Sequence, residues 1–269
     1  EEALTRLGEG VQETRVLRRE AIERTAEAVA QFVSRCREYG AEQVVVAATS
    51  AARDAGNFES LNESIRRRTG LSVRLLSGEE EARAAFRGAR AGHPEIEGSC
   101  LVIDVGGGST ELVTGNRQPQ RWLSLNIGSV RLKERFLRGD PFRADEWKWL
   151  CHYVRDNLER ARTQLEAAVD IAIGVGGTIT TLAMLEAGLD QYDAARIHGM
   201  ELTTSVIETW ASRLARMTYE ERTQLPGVPA LRGDVLPVGA QIFAEALRVF
   251  DLRSLVVSTF GIRHGILLE

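Results

Sequence analysis

The chain has 269 residues, 43% of them apolar and 27% charged, which is ordinary globular usage and enough length for one large domain or two modest ones with real cores. A net charge of −4 excludes a nonspecific electrostatic grip on nucleic acid, and no apolar run approaches the ~20 residues of a membrane span. The opening Glu1-Glu2-Ala3-Leu4 lacks the basic start of a signal peptide, and the four histidines have no metal-ligand spacing. Cys36, Cys100 and Cys151 include no C-x-x-C pair, so buried reduced thiols in a cytoplasmic chain are expected. Of the 34 lysines and arginines, only Lys133 and Lys148 are lysine. Arginine is the better bidentate phosphate binder, and codon or thermal bias is the competing reading, expected for most of this excess.

Ile22, Ala26, Val29, Val33 and Cys36, three and four residues apart, predict a helix over 20–39 that Gly40 ends. Gln43–Ala48 reads as a buried strand. After a polar turn, Asn57 is placed to cap a short helix with Phe58, Leu61 and Ile65 inward. Ser72–Leu76 reads as the next strand and 78–91 as the next helix, a βαβα run that predicts a parallel sheet covered by helices. From residue 98 the pattern changes. Strands are expected at Cys100–Val105, Glu111–Thr114 and Gln120–Asn126, the last two joined by a Gly115-Asn116 turn into a meander. Helices follow at 129–138 and 143–168, a strand at 170–173, a helix from 177, and a polar helical stretch over 201–222. A helix at 235–250, a strand at 254–257 and a closing helix complete the chain.

Three meandering strands followed by alternating helices and strands is the ribonuclease-H-like arrangement, of which actin-like α/β proteins use two copies around a central cleft. The expected division is residues 1–95 for domain I, 96–258 for domain II, and a closing helix over 259–269 that packs back on domain I. The first half begins at a helix and lacks a meander, so an N-terminal segment of about 35–45 further residues is expected, by analogy with the second-half meander.

The strongest chemical signal is Asp104-Val105-Gly106-Gly107-Gly108-Ser109-Thr110-Glu111. An apolar strand delivers an aspartate into a triple-glycine turn, where backbone N–H groups can wrap a phosphate without side-chain interference. Ser109 and Thr110 can add hydroxyl donors, and Asp104 and Glu111 can hold a metal or its bound water. An ordinary glycine hairpin is the competing reading, and two flanking carboxylates argue against it. In Ser77-Gly78-Glu79-Glu80-Glu81-Ala82-Arg83, acidic residues suit a helix N-terminus, and Ser77 with Glu80 fits a capping box. That leaves Glu79 and Glu81 as candidates for a general base, between which spacing does not choose. Gly174-Val175-Gly176-Gly177-Thr178 is a strand entering a glycine turn before a helix, either an anion site or a close helix–strand contact. Arg53, beyond a strand end in ATSAARDAGN, can hold a phosphate or pair with Asp54 or Glu59. Asp234, in the segment Arg232–Ala240, can cap the helix that follows, and His264 reads as a surface histidine.

Together the segments ATSAARDAGN, SGEEEAR, DVGGGSTEL, LNIGSVRL, GVGGTITTLA, RGDVLPVGA and STFGIRHG resemble, in order, the exopolyphosphatase / guanosine pentaphosphate phosphohydrolase family. They span residues 47 to 265. The resemblance implies an actin-like two-domain fold, a substrate of inorganic polyphosphate or guanosine pentaphosphate, and Mg2+ as the metal. It implies that the catalytic base is the second glutamate of the adjacent pair, here Glu81. It maps Asp104 and Glu111 onto metal and water ligands, Gly106, Gly107, Gly108, Ser109 and Thr110 onto a phosphate loop, and Arg53 and Arg232 onto substrate phosphates. Gly176, Gly177 and Thr178, at a helix N-terminus, are further phosphate-binding candidates from their own pattern. Two departures stand out. The family's first phosphate loop, an Asp-x-Gly-Thr-x-Ser type turn, is absent, and so are the C-terminal helical domains of longer relatives. Relatives are often homodimers, although no interface signature is visible. The implied reaction is direct hydrolysis, with Glu81 activating a water. A non-catalytic nucleotide sensor of the same fold and an actin-like kinase are the alternatives, and the glutamate-rich helix argues against the kinase.

Overall fold

The computed structural model describes residues 3, 5–166 and 168–269. The chain forms two compact units, Glu1–Gly78 and Glu79–Glu269. In the first, the elements run α1 (Val11–Thr14), α2 (Arg19–Glu38), β1 (Val46–Ala48), α3 (Ser50–Arg53), α4 (Phe58–Thr69) and β2 (Val73–Leu75). β1 and β2 pair in parallel, Val46 opposite Val73. Ile22 and Ala26 of α2 share a core with Leu61 and Ile65 of α4, each of the latter 1% exposed and worth about 1.5–3 kcal/mol in burial. Asn57 stands just before α4 but does not cap it. Its side-chain amide instead accepts from Leu17 N at 2.7 Å and donates to Leu17 O at 3.0 Å. Leu17 is 1% exposed, so its backbone polar groups need protein partners, and Asn57 supplies both.

The second unit begins with α5 (Gly78–Gly92), followed by β3 (Cys100–Val105), β4 (Thr110–Gly115), β5 (Pro119–Leu125), α6 (Ser129–Phe136), α7 (Ala144–Leu165), β6 (Ile171–Val175), α8 (Gly177–Glu186) and α9 (Ala194–Ile197). Then come β7 (Glu201–Thr203), α10 (Thr204–Arg216), α11 (Tyr219–Thr223), a 3₁₀ turn at Ala230–Arg232, α12 (Leu236–Val249), β8 (Ser254–Val257) and α13 (Ile262–Leu267). The six strands lie in the order β5-β4-β3-β6-β8-β7. β3, β4 and β5 form the expected antiparallel meander, and β6 and β8 continue the sheet in parallel to β3. This is the α/β, ribonuclease-H-like arrangement that the element pattern predicts.

Several boundaries shift by one to three residues, β1 starting at Val46 and α7 ending at Leu165 among them, and two differ in kind. The stretch from 201 opens with a strand rather than a helix: Glu201–Thr203 pairs antiparallel with β8, and Thr203 then caps α10 by accepting from Val206 N. The chain between β4 and β5 is Asn116–Gln118, with a register shift at Thr114/Gly115, rather than a two-residue turn. Among the described residues no helix is long and apolar enough to cross a membrane. The three cysteines are free, with Cys100 buried and Cys36 and Cys151 half-buried.

β3 is apolar on both sides because both faces are covered. Leu101, Ile103 and Leu112 face the core built with α7, α8 and α12. Cys100, Val102 and Val113 face Ala82, Phe86 and Ala89 of α5. Asp104 and Glu111 follow Val102 and Val113 in the period-2 alternation, so they fall on the α5 side. α5 in turn touches α13 backbone to backbone. A Cβ on Gly265 would stand 1.8 Å from Ala84 O, and one on Gly88 2.0 Å from Gly261 O. His264 is half-buried rather than on the surface, because it stacks on Phe260 at 4.1 Å between ring centres.

Candidate active site

The sheet register builds the centre of the site. Asp104 on β3 lies directly opposite Glu111 on β4, and Glu111 directly opposite Ser124 on β5. Residues opposed in this way share a face, with Cβ atoms about 5 Å apart. The first turn of α5, laid over that face by Ala82 and Phe86, adds Glu81, which is 7% exposed. Three carboxylates therefore crowd one spot. Burial first, and then the Glu81 carboxylate, push Asp104 up to about 7. Burial, Glu81 and Asp104 raise Glu111 well above the ordinary range, while the hydroxyls of Ser124 and Ser109 pull it back. The Ser124 hydroxyl donates to Glu111 Oε1 at 2.8 Å. Glu79 is occupied elsewhere, pairing with Arg83 at 2.7 Å on the half-exposed side of α5. Of the two glutamates that spacing left open, Glu81 is the one beside the other carboxylates.

Beyond Asp104 the chain turns through Gly106, Gly107, Gly108 and Ser109, closed by Gly106 N donating to Ser109 O at 3.0 Å. The start of α6 holds this turn. Ser129 N donates to Gly106 O at 3.0 Å, and Val130 N and Arg131 N donate to Gly107 O at 2.9 and 3.0 Å. Arg131 Nε donates to Gly108 O at 2.6 Å. A trans peptide carries its C=O and N–H on opposite sides. Three consecutive carbonyls drawn toward α6 therefore turn the N–H groups of Gly107, Gly108 and Ser109 the other way, as an anion-binding concavity requires. Thr110 does not contribute a hydroxyl to that concavity. It is fully buried, and its Oγ1 donates to Ile127 O at 2.5 Å, tying β4 to the chain leading into α6.

The second glycine turn lies alongside. Val175 is in register with Asp104, and the next residue, Gly176, has φ +96°. A Cβ on Gly176 would stand 3.0 Å from Asp104 Oδ1. Arg232 lies across Gly177, where a Cβ would fall 1.7 Å from its Nη1. The residues Gly176, Gly177 and Arg232 are thus brought together at the start of α8. Thr178 is buried and packed against Gly239 of α12. Asp234 does not cap α12, whose start at Leu236 has no side-chain cap; its carboxylate stands 3.9 Å from Lys133. Arg53 belongs to the first unit, where its Nη1 donates to Leu76 O at 2.7 Å.

Three residues that frame the site carried no assigned role in the sequence: Ser124, Gly128 and Arg131. All lie in the LNIGSVRL segment or adjoin it, and its only signal was its place among the family motifs. Gly128 is the tightest of them. A Cβ there would stand 2.3 Å from Gly107 O, so only glycine lets α6 approach the loop.

The donor set suits one kind of cation. Among the described residues no three His, Cys, Asp or Glu side chains converge at ligand spacing, so an all-protein cage is not present. A hard divalent ion that binds through one or two carboxylates, and completes its shell with water and phosphate oxygens, fits Asp104 and Glu111, since the charges raising both are themselves carboxylates.

Known proteins resemble this chain in sequence and in fold. Exopolyphosphatase 2 of Mycobacterium tuberculosis is 35% identical over 279 residues, covering 100% of this chain and 88% of that protein. The Ppx/GppA family member of Aquifex aeolicus superposes with a TM-score of 0.83 at 35% identity, over 99% of this chain and 86% of that one. An exopolyphosphatase from Cytophaga hutchinsonii superposes with a TM-score of 0.90 at 26% identity, over 100% and 87%. The family model described as the Ppx/GppA phosphatase family matches residues 1–269, and the chain belongs to that family.

Proposed function

We propose that this protein is an exopolyphosphatase that hydrolyses the terminal phosphate of inorganic polyphosphate, with guanosine pentaphosphate as a second substrate, using Mg2+. The observation that carries the reading is the cluster of buried Glu81 and Glu111 with half-buried Asp104, beside a loop whose N–H groups turn outward. The relatives named exopolyphosphatase favour polyphosphate over the guanosine nucleotide.

Phosphoryl transfer needs positioning and charge stabilisation more than covalent help. In this reading Glu81 is the general base. It orients a water and takes its proton, a role suited to a carboxylate held at a fixed place on α5. The N–H groups of Gly107, Gly108 and Ser109 hold the terminal phosphate and stabilise charge developing on its oxygens. Arg232, lying across Gly177, holds a neighbouring phosphate bidentately. Asp104 and Glu111 hold the metal, which when bound neutralises phosphate charge. Ser124 keeps Glu111 oriented.

The test is phosphate release from long-chain polyphosphate and, separately, from guanosine pentaphosphate, with Mg2+, comparing the wild type with Glu81→Gln. Loss of at least about a hundredfold in kcat with polyphosphate binding retained is expected. Wild-type rates in Glu81→Gln would sink the assignment, and binding without release in the wild type would make the protein a sensor.

A further inference from the structure

The three loop peptides are not held in the same way. Those of Gly106–Gly107 and Gly107–Gly108 are pinned by backbone amides of α6, from Ser129, Val130 and Arg131, with the Ser129 hydroxyl adding a contact to Gly106 O at 3.3 Å. No substitution other than proline removes those amides. The Gly108–Ser109 peptide is different, because its carbonyl accepts from the Arg131 side chain. It also follows a glycine, the residue that resists rotation of a peptide plane least. Without a donor on Gly108 O, this plane is free to turn its carbonyl oxygen toward the ligand and its N–H away. A carbonyl oxygen facing a phosphate repels it, whereas the N–H stabilises it.

From this we infer that Arg131 is a positioning residue for catalysis. Its guanidinium fixes the Gly108–Ser109 peptide so that the Ser109 N–H faces the terminal phosphate. The inference rests on the hydrolase reading above and adds to it a loop peptide whose carbonyl is held by a side chain rather than by a backbone amide of α6. It also assigns the arginine of LNIGSVRL a role distinct from charge: Nε must reach a carbonyl at 2.6 Å in a fixed direction, which a lysine ammonium does not reproduce.

The experiment measures phosphate release from polyphosphate and calorimetric binding of tripolyphosphate by the full chain, at low and high salt, for the wild type, Arg131→Ala and Arg131→Lys. Removing a preorganised donor lowers turnover by about 10²–10³ when that donor is lost outright. Here the donor is misdirected part of the time, so both variants are expected to lose about 10- to 100-fold in kcat, more than KM rises, with little salt dependence. Thermal unfolding of each variant identifies any that fails to fold, and Arg131→Lys then carries the test. A loss confined to KM, weakened by salt and restored by Arg131→Lys, would make Arg131 a direct phosphate contact and overturn the inference. Activity within about threefold of wild type in Arg131→Ala would also overturn it and leave the hydrolase reading standing. If the wild type binds tripolyphosphate but releases nothing, the hydrolase reading alone fails. The pin is then read from Kd, expected to be three- to tenfold weaker in both variants, with wild-type affinity in both overturning it. A wild type that neither releases phosphate nor binds tripolyphosphate removes the reading and the inference together.

Discussion

The two glycine turns of the second unit look alike in sequence and are held by different forces. In the β3–β4 turn, Gly106, Gly107 and Gly108 have no positive φ, and the backbone is drawn into shape from outside by α6. In the β6–α8 turn the shape is intrinsic. Gly176 sits at φ +96° and ψ 171°, a region essentially closed to other residues, and Gly177 is bare so that Arg232 can lie on it. A run of glycines is therefore not one device. The first turn depends on a partner helix that arrives about twenty residues later, and the second on its own backbone and one arginine.

The sharpest break of this comparison is at Asp104, which belongs to both turns: it begins the first and stands 3.0 Å from where a Gly176 Cβ would be. Its folded pKa is about 7 against an ordinary 3.8. The folded state thus holds its proton more tightly than the unfolded state, and stability present below pH 4 is lost as pH rises through 7. The displacement corresponds to roughly 4 kcal/mol as an upper bound. Asp104→Asn is therefore expected to abolish phosphate release and to raise Tm at pH 8, with a gain that shrinks toward pH 4. Mg2+ is expected to raise the Tm of the wild type at pH 8 and leave Asp104→Asn unmoved. Equal shifts in both proteins would mean that the cation binds elsewhere.

Next in size is Gly128→Ala. Its Cβ would stand 2.3 Å from Gly107 O and 2.4 Å from Gly108 C, both backbone, so either α6 or the loop must move. Overpacking of this kind costs about 1–3 kcal/mol, and the displaced carbonyls would disorient the loop amides. A loss of about a hundredfold in kcat/KM is expected. Gly107→Ala, inside the signature itself, meets only Val130 Cγ2 at 3.2 Å and is expected to stay within about tenfold. The reverse ranking, measured by phosphate release, would show that α6 does not hold the loop.

That ranking marks what could be read from sequence. The strands Cys100–Val105 and Ser254–Val257 were legible to the residue, because a buried strand between turns has little else it can be. Asp104 and Glu111 were legible as a pair flanking glycines. What spacing could not give was the choice between Glu79 and Glu81, which depends on the side of α5 facing the sheet and so on Phe86 and Ala82 packing against Val102 and Val113. Thr110 and Asn57 depart from expectation for a related reason. A short polar side chain beside a turn looks like a ligand donor or a cap, yet both are used on distant backbone, Ile127 O and Leu17. Contacts from Thr110 to Ile127 and from Gly128 back to Gly107 are long-range and leave no periodicity to detect.

The smallest expected effect separates the two glycines of the second turn. Gly176→Ala meets a forbidden conformation and the Asp104 carboxylate together, so it is expected to lower both Tm and kcat. Gly177→Ala meets only the far end of the Arg232 side chain, which can swing aside. The fold should persist, with Tm close to wild type, while the guanidinium leaves its seat and KM for polyphosphate rises up to about tenfold. The comparison is completed by a cycle of Gly177→Ala, Arg232→Ala and the double variant. If Arg232 acts from its position over Gly177, the two changes remove the same interaction, and the double variant should be no worse than Arg232→Ala alone. Additive losses would mean that Gly177 matters through its own backbone N–H at the start of α8. The second turn would then work like the first, as a backbone cradle, and the distinction between the two would fail.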